Sequence, residues 1–307
     1  MFEESQIKPE ITVVIPCYNR EKSISKAIES VLYQDFENWE LIIVDDCSTD
    51  KSLELILDYC QRDNRIKGFK LDKNSGAAAA RNFGIKKARS SYVSLLDSDD
   101  WYEALFLSKS FTKIKTTPDS VGFIWTGINW ITDKGEMESS WSNSYPFNSY
   151  MNFLHSLHIG TSAGITFKNK IFDIVGYFRE DLPAAEDTEF FLRLSKFFDY
   201  DNIKESLINI DKRGTDRMST NYENIAIAYN KFLPDHFETI QKYPALQKKY
   251  YYKMMWLNYY RKDKREARKY FKFQIQKFNL TLKSFFIFII FEISPFELAK
   301  KIHQLRG

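Results

Sequence analysis

The sequence predicts an α/β fold: a mostly parallel sheet flanked by helices, followed by a helical C-terminal appendage. Three observations carry this. Short β-branched runs alternate with amphipathic helical patterns from residue 11 to about 96. The links between them are short, as right-handed βαβ units require. Beyond residue 221 the pattern reads as helix throughout.

The elements follow in order. Ile11 to Ile15 is a continuous apolar run ending at Pro16, the mark of a strand covered on both faces. Residues 22–33 place Ile24, Ala27, Ile28, Val31 and Leu32 at helical spacing. A second strand is expected at Glu40 to Val44, a helix at 51–60, a third strand at Ile66 to Leu71, a helix from Ala77 to Ala88, and a fourth strand at Tyr92 to Leu96. The pattern then loosens. It predicts a helix near 102–116, a strand near 121–132, a polar loop at 133–145, a helix from Tyr150 to Leu157, a strand near 163–167 and a helix at 187–198. Further helices are expected at 222–243, 245–261, 263–278 and 280–293. The body is placed at 9–220 and the helical region at 221–307.

Composition narrows the class. In 307 residues, 44% are hydrophobic and 28% charged, which excludes collagen-like and wholly disordered chains. The three cysteines, Cys17, Cys47 and Cys60, cannot all pair and lack CxxC spacing, so reduced thiols in a cytosolic protein are expected. The net charge of +3 hides an asymmetry. Residues 242–307 hold 16 Lys/Arg against 4 Asp/Glu, a net +12, whereas the preceding 241 residues hold 28 against 37, a net −9. An acidic body argues against nucleic acid as a partner, and a basic tail argues for contact with an anionic surface. The first ten residues carry no leader pattern. The longest apolar run, Phe285 to Phe291, is far shorter than the ~20 residues needed to span a bilayer.

Polar clusters fall where the strands end, the edge at which open α/β sheets bind ligands. Pro16-Cys-Tyr18-Asn-Arg20 follows strand one, and Asn19 can cap the next helix. Asp45 and Asp46 follow strand two, and their repulsion asks for a cation or hydrogen-bond donors. Ser48 or Asp50 can cap the helix after them. Asn74-Ser-Gly76 opens a helix whose small residues permit close packing. Its Arg81 can serve a uracil carbonyl or a phosphate, or sit at the surface. Asp97-Ser-Asp99-Asp100 closes strand four. Asp100 and Glu103 have capping spacing, whereas Asp97 and Asp99 offer hard oxygens suited to Mg²⁺ or Mn²⁺ bridging phosphates. Glu186-Asp187 opens a helix in which Glu189 and Arg193 form an i,i+4 pair. His155 and His158 share a helix face without further ligands nearby, and GxSxG and GxxxxGK[ST] patterns are missing.

In this order and spacing the clusters resemble glycosyltransferase family 2, inverting enzymes of the Rossmann-like GT-A fold. The carriers are Pro16 to Arg20, Asp45 to Asp50, Asn74-x-Gly76 with Ala80-Arg-Asn82, Asp97 to Asp100, Val175-Gly-Tyr-Phe178, and Glu186-Asp187 with Arg193. They cover about residues 10–220. The resemblance implies transfer from a nucleotide-diphosphate sugar, UDP-linked, to a glycan or lipid-linked hydroxyl in surface-polysaccharide assembly. It implies a nucleotide site of Pro16, Tyr18, Asp45, Asp46, Asn74, Gly76, Arg81 and Asp97. Within it Tyr18 packs on the base, Asp46 accepts from uracil and Asp97 holds the ribose. Asp99 would take Mn²⁺ or Mg²⁺, Asp187 would be the general base, and Glu186 would orient the acceptor. Two alternatives are a non-catalytic nucleotide-sugar-binding scaffold on the same fold and a nucleotidyltransferase. The Gly-rich loop expected of the latter is replaced by Pro16 to Arg20.

One departure stands out. Where relatives often carry an Arg-x-x-His segment before Ser-x-Ser, this chain reads Lys212-Arg213-Gly-Thr-Asp216-Arg217-Met-Ser219-Thr220, leaving Arg213 or Arg217 to meet the diphosphate. The apolar stretch Phe278 to Phe296 is flanked by Lys262, Lys264, Arg265, Arg268 and Lys269 before it and Lys300, Lys301 and Arg306 after it. It is expected either to lie in the cytoplasmic leaflet of the cell membrane as a monotopic hairpin or to pack on protein.

Overall fold

The computed structural model describes residues 8–132, 134–135, 137–140, 149–156, 162–213 and 221–278. β1 (Ile11–Cys17) is buried at every position, and so is β2 (Trp39–Asp45). They pair in parallel from Ile11↔Trp39 to Cys17↔Asp45. β3 (Ile66–Lys70) continues the sheet beyond β2, and β4 (Tyr92–Leu95) lies on the other side of β1, with Val14 level with Leu95. α1 (Ile24–Leu32), α2 (Ser52–Arg62) and α3 (Ala77–Lys87) make the crossovers. α3 comes unusually close to β1. A Cβ on Gly84 would stand 2.4 Å from Val14 Cγ1, which explains the run of small residues. Glu40 of β2 is 1% exposed and accepts from Thr12 Oγ1, Arg89 N and Arg89 Nε.

The sheet is then extended by β5 (Trp101–Tyr102), β6 (Val121–Ile131), β7 (Met137–Ser140), β8 (Ile165–Lys168) and β9 (Asp199–Asp211). Its order is β3-β2-β1-β4-β8-β6-β9-β5, with β7 hairpinned onto β6. Six of the nine described strands run one way, while β5, β7 and β8 oppose them. α4 (Phe106–Lys115), α5 (Ser149–Ser156), α6 (Ile171–Val175) and α7 (Glu186–Leu194) complete this part. Phe190 and Phe191 seat α7 on the sheet, with ring centroids 5.9 Å from Phe167 and 5.4 Å from Phe123 respectively.

Sequence periodicity misses β9, β5, β7 and α6. In β9 the polar residues of Asp199 to Ser206 mask the pattern, and register shifts around Gly127 of β6 break its alternation. Trp101 and Tyr102 pair with Asn209 and Ile208 instead of joining the helix expected from 102, and Met137 to Ser140 pairs with β6 inside the expected loop. The long helix expected at 222–243 is interrupted by a 3₁₀ turn, Leu233–His236, where Pro234 cannot donate into a helical ladder.

The chain divides into two compact units, residues 1–180 with 187–215, and 181–186 with 216–307. The second unit consists, as described, of α8 (Tyr222–Phe232), the 3₁₀ turn, α9 (Phe237–Ile240), α10 (Pro244–Tyr260) and α11 (Lys264–Phe278). Met255, Trp256, Tyr259 and Tyr260 of α10 pack with Ala267 and Phe271 of α11. Among the described residues no helix is long and apolar enough to cross a membrane. The segment expected at 280–293 lies outside the described residues.

Within this unit, Lys253 donates to Tyr229 Oη at 3.1 Å, and burial, then the neighbouring Lys249 charge, pushes its ammonium down to about 7. Above pH 7 the unfolded chain therefore holds a proton that the folded chain has released. Stability should rise with pH between about 7 and 10 by up to ~1.4 kcal/mol per unit from this group. Urea titrations at pH 7.5 and 9.5 should show that extra slope in the natural chain and lack it in Lys253→Met.

Candidate active site at the strand ends

The parallel register decides which residues meet. Cys17 is level with Asp45, and Leu96 N donates to Val14 O, so β1, β2 and β4 run out within about two residues of one another. Their exits carry residues 16–20, 45–50 and 97–100.

The first two exits are sewn together. Asn19 N donates to Ser48 Oγ at 3.0 Å, Thr49 N to Asn19 Oδ1 at 2.8 Å, and Arg20 N to Ser52 Oγ at 2.7 Å. Asn19 is thus a cross-loop tie and not the cap of α1, which begins after Ser23. Neither Ser48 nor Asp50 is the N-cap of α2, which is Lys51, although Asp50 Oδ1 accepts from Ser52 N and Oγ just before the helix. Asp45 is 0% exposed, and its Oδ2 accepts from Ser48 N at 3.0 Å. Asp45 and the sheet-paired Pro16, both expected at the nucleotide, are buried. Asp46 is 3% exposed and accepts at 2.7 Å from both Ser75 N and Gly76 N. Its carboxylate holds the 73–76 loop, satisfying the donors that the Asp45-Asp46 repulsion called for. Above this base Tyr18 is 42% exposed, and Asn74 and Gly76 are exposed, with Gly76 at φ 89°.

β4 delivers three acids, each met differently. Asp97 pairs with Arg81 Nη2 at 2.8 Å. Arg81 is 5% exposed, so its charge is held against Asp97 and not offered at the surface. Asp99 faces Arg20 Nε at 3.4 Å with its side chain 47% exposed, an open pair and not a buried lock. Its carboxyl is raised above the usual range by desolvation first and by the Asp97 charge second. Asp100 is buried, and its Oδ1 accepts from Asp211 N. It ties β4 to β9 and caps nothing, since α4 begins after Leu105. Desolvation, then Asp97 and Asp99, push its carboxyl well up. Asp211 itself grips Arg213 at 2.6 Å, which occupies one of the two arginines considered for the diphosphate. Arg217 and His158 lie outside the described residues.

Asp187 sits at the second position of α7, half-buried, with Thr188 N at 2.5 Å from its Oδ1. Glu186 beside it is buried, so Asp187 is the more open of the two. α7 runs through residues 195–198 into β9, whose first residues pair with the start of β6. The helix thus ends at the N-terminal edge of those strands. Two staples hold this region. Asn82 Nδ2 donates to Phe178 O and Glu180 Oε1 while its Oδ1 accepts from Phe178 N. Arg193 donates to Val175 O and Tyr177 O and pairs with Glu189.

Backbone strain marks the same places. Among the described residues four non-glycines have positive φ, and three adjoin these loops: Asn19 at 51°, Cys47 at 65° and Ala185 at 56°. Each costs about 1–2 kcal/mol, tolerated where surrounding contacts over-determine the loop. Neither this strain nor the Arg20–Asp99 and Asp100–Asp211 contacts leaves a periodic trace in the sequence.

The parallel strands thus end in a cluster of acids, and a further acid opens α7. The chain belongs to glycosyl transferase family 2, whose sequence profile matches residues 12–176. An uncharacterized glycosyltransferase of Haemophilus influenzae is 46% identical over 93 residues, 30% of this chain and 37% of that protein. The putative teichuronic acid biosynthesis glycosyltransferase TuaG of Bacillus subtilis is 39% identical over 128 residues, 42% of this chain and 50% of its own length. The chain thus spans half or less of these two relatives. Among solved structures, S. aureus TarS 1–349 in complex with UDP-GlcNAc superposes with a TM-score of 0.62 at 20% identity, covering 88% of this chain and 89% of that one. This likeness is one of fold: the GT-A architecture expected from the motifs.

Asp46→Asn should loosen the 73–76 loop, because an amide offers one acceptor oxygen to two N–H donors. A melting temperature lowered by a few degrees and faster proteolysis within residues 73–76 are expected.

Proposed function

We propose that the chain is an inverting transferase that moves a sugar from a UDP-linked donor to a hydroxyl of a glycan or lipid-linked acceptor in cell-surface polysaccharide synthesis. One observation carries this. Asp97 and Asp99 are charge-balanced by Arg81 and Arg20 yet remain 28% and 47% exposed, at the edge where three parallel strands end. TarS was solved with UDP-GlcNAc and TuaG is named for teichuronic acid biosynthesis, which supports the donor and the setting.

In this reading Tyr18 packs on the base, the 73–76 loop closes around the nucleotide, and Asp97, held by Arg81, takes the ribose hydroxyls. The donor set at Asp99 suits a divalent cation. Asp99 would hold it through hard carboxylate oxygens, which keep part of their surface exposed. Such an ion, Mn²⁺ or Mg²⁺, would neutralise the charge that gathers on the departing diphosphate. Asp187 takes the proton from the acceptor hydroxyl, and Thr188 N fixes its orientation. The acceptor oxygen bonds to the anomeric carbon as the diphosphate leaves from the opposite face, so one displacement inverts that centre.

The acceptor is brought from an anionic membrane surface on the cytoplasmic side. α11 supports this: Lys264, Arg265, Arg268, Lys269, Lys272 and Lys277 are exposed, while Ala267, Phe271 and Gln274 on its other face are buried.

Asp187→Asn should bind UDP as the natural chain does and lose turnover by about 10²–10⁴-fold in a panel of nucleotide sugars. Undiminished turnover would remove Asp187 as the base. Separately, flotation should carry the protein with phosphatidylglycerol vesicles at low salt and not with phosphatidylcholine alone. Charge reversal at Arg265, Lys269 and Lys272 should abolish that flotation.

A further inference from the structure

Arg20 stands apart from the other cations near the site. Its Nε lies 3.4 Å from Asp99 Oδ2, and the two side chains are 31% and 47% exposed, so neither is locked in by burial. Its backbone is fixed independently of Asp99. Arg20 N donates to Ser52 Oγ, the preceding Asn19 is held at φ 51°, and Asn19 N is tied to Ser48. The guanidinium has a second anchorage in its own loop, with Nη1 3.2 Å from Asn19 O and 3.4 Å from Tyr18 O. It can release Asp99 and stay in place. Arg81 contrasts with it: 5% exposed, it is a permanent partner of Asp97.

We infer that Arg20 is the resting counter-ion of Asp99, and that Asp99 exchanges this guanidinium for a divalent cation when a nucleoside diphosphate binds. The inference rests on the assignment of Asp99 above. A dication and a guanidinium on one carboxylate repel each other, so the two exclude one another until new negative charge arrives. The diphosphate supplies that charge. It offers oxygens to the cation and a planar acceptor for the displaced guanidinium, whose fork of N–H donors matches phosphate. Arg20 is in this sense a positioning residue. It holds the empty site's affinity for metal low and couples metal binding to donor binding, a linkage that must be reciprocal.

The test reads metal binding and needs no turnover. Free Mn²⁺ is followed by electron paramagnetic resonance as it is titrated with the full chain, with and without UDP, for the natural protein, Arg20→Ala, Arg20→Gln, Arg20→Lys and Asp99→Asn. Without UDP, the Ala and Gln variants should bind Mn²⁺ about three to ten times more tightly than the natural chain. The Lys variant should stay near the natural value. The enhancement of Mn²⁺ affinity by UDP should shrink by the same factor in the Ala and Gln variants. Asp99→Asn should lose the Mn²⁺ site in both conditions. If Asp99→Asn loses the site while the Ala and Gln variants bind no more tightly than the natural chain, the exchange is wrong and Asp99 keeps its assignment. If Asp99→Asn binds Mn²⁺ normally, the assignment of Asp99 fails, and the exchange with it.

Discussion

Like charges crowded at the end of a strand are the constraint around which this site is built. Asp97, Asp99 and Asp100 leave β4 together, with Asp211 brought close by β9. Each acid is met by a different means. Asp97 is neutralised by buried Arg81 from α3, Asp99 by exposed Arg20 from the β1 exit, and Asp100 is withdrawn from water, where its carboxyl is pushed toward the protonated form. The compensations need β1, β4, α3 and β9 at one edge, which the parallel order and the crossovers provide. A register slip of one residue would turn the side chains to the opposite face and separate these partners.

The motif residues divide by what their polar atoms are already doing. Asp45, Asp46, Asn82 and Arg193 are engaged with backbone amides or carbonyls of neighbouring loops. Loops at strand ends carry unpaired N–H and C=O groups, and short polar side chains are the economical way to satisfy them where water is shut out. Tyr18, Asn74, Asp97, Asp99 and Asp187 keep part of their surface open above that scaffold. A motif that reads as one binding signature is thus two layers, one that shapes the loops and one that stays partly exposed. The strained backbone at Asn19, Cys47 and Ala185 belongs to the first layer, turning each loop where the next side chain must emerge.

The second unit follows a different rule. α10 is buried around much of its circumference by aromatic side chains, whereas α11 buries a narrow stripe and leaves its cations in water. Lys264, Arg265, Arg268, Lys269, Lys272 and Lys277, part of the basic balance of residues 242–307, are therefore displayed on a helix face. Such a face acts through the summed field of many charges, so single substitutions there have small effects and charge reversals large ones.

The amino-acid sequence by itself determined the four-strand parallel half of the sheet, its crossover helices and the edge that bears the acids. Local hydrophobic periodicity and strand-end punctuation encode all three, and the ordered motifs sufficed to identify the family. It did not reveal β9, β5 or β7, which become strand only when a neighbour supplies hydrogen bonds. Nor could it say that Asp46 grips a loop, that Asp100 ties β9 and not a helix, or that Arg20 stands over Asp99. Those pairings join residues 29 to 111 positions apart, or 79 in the last case, and only the folded chain brings such distant charges and donors within reach.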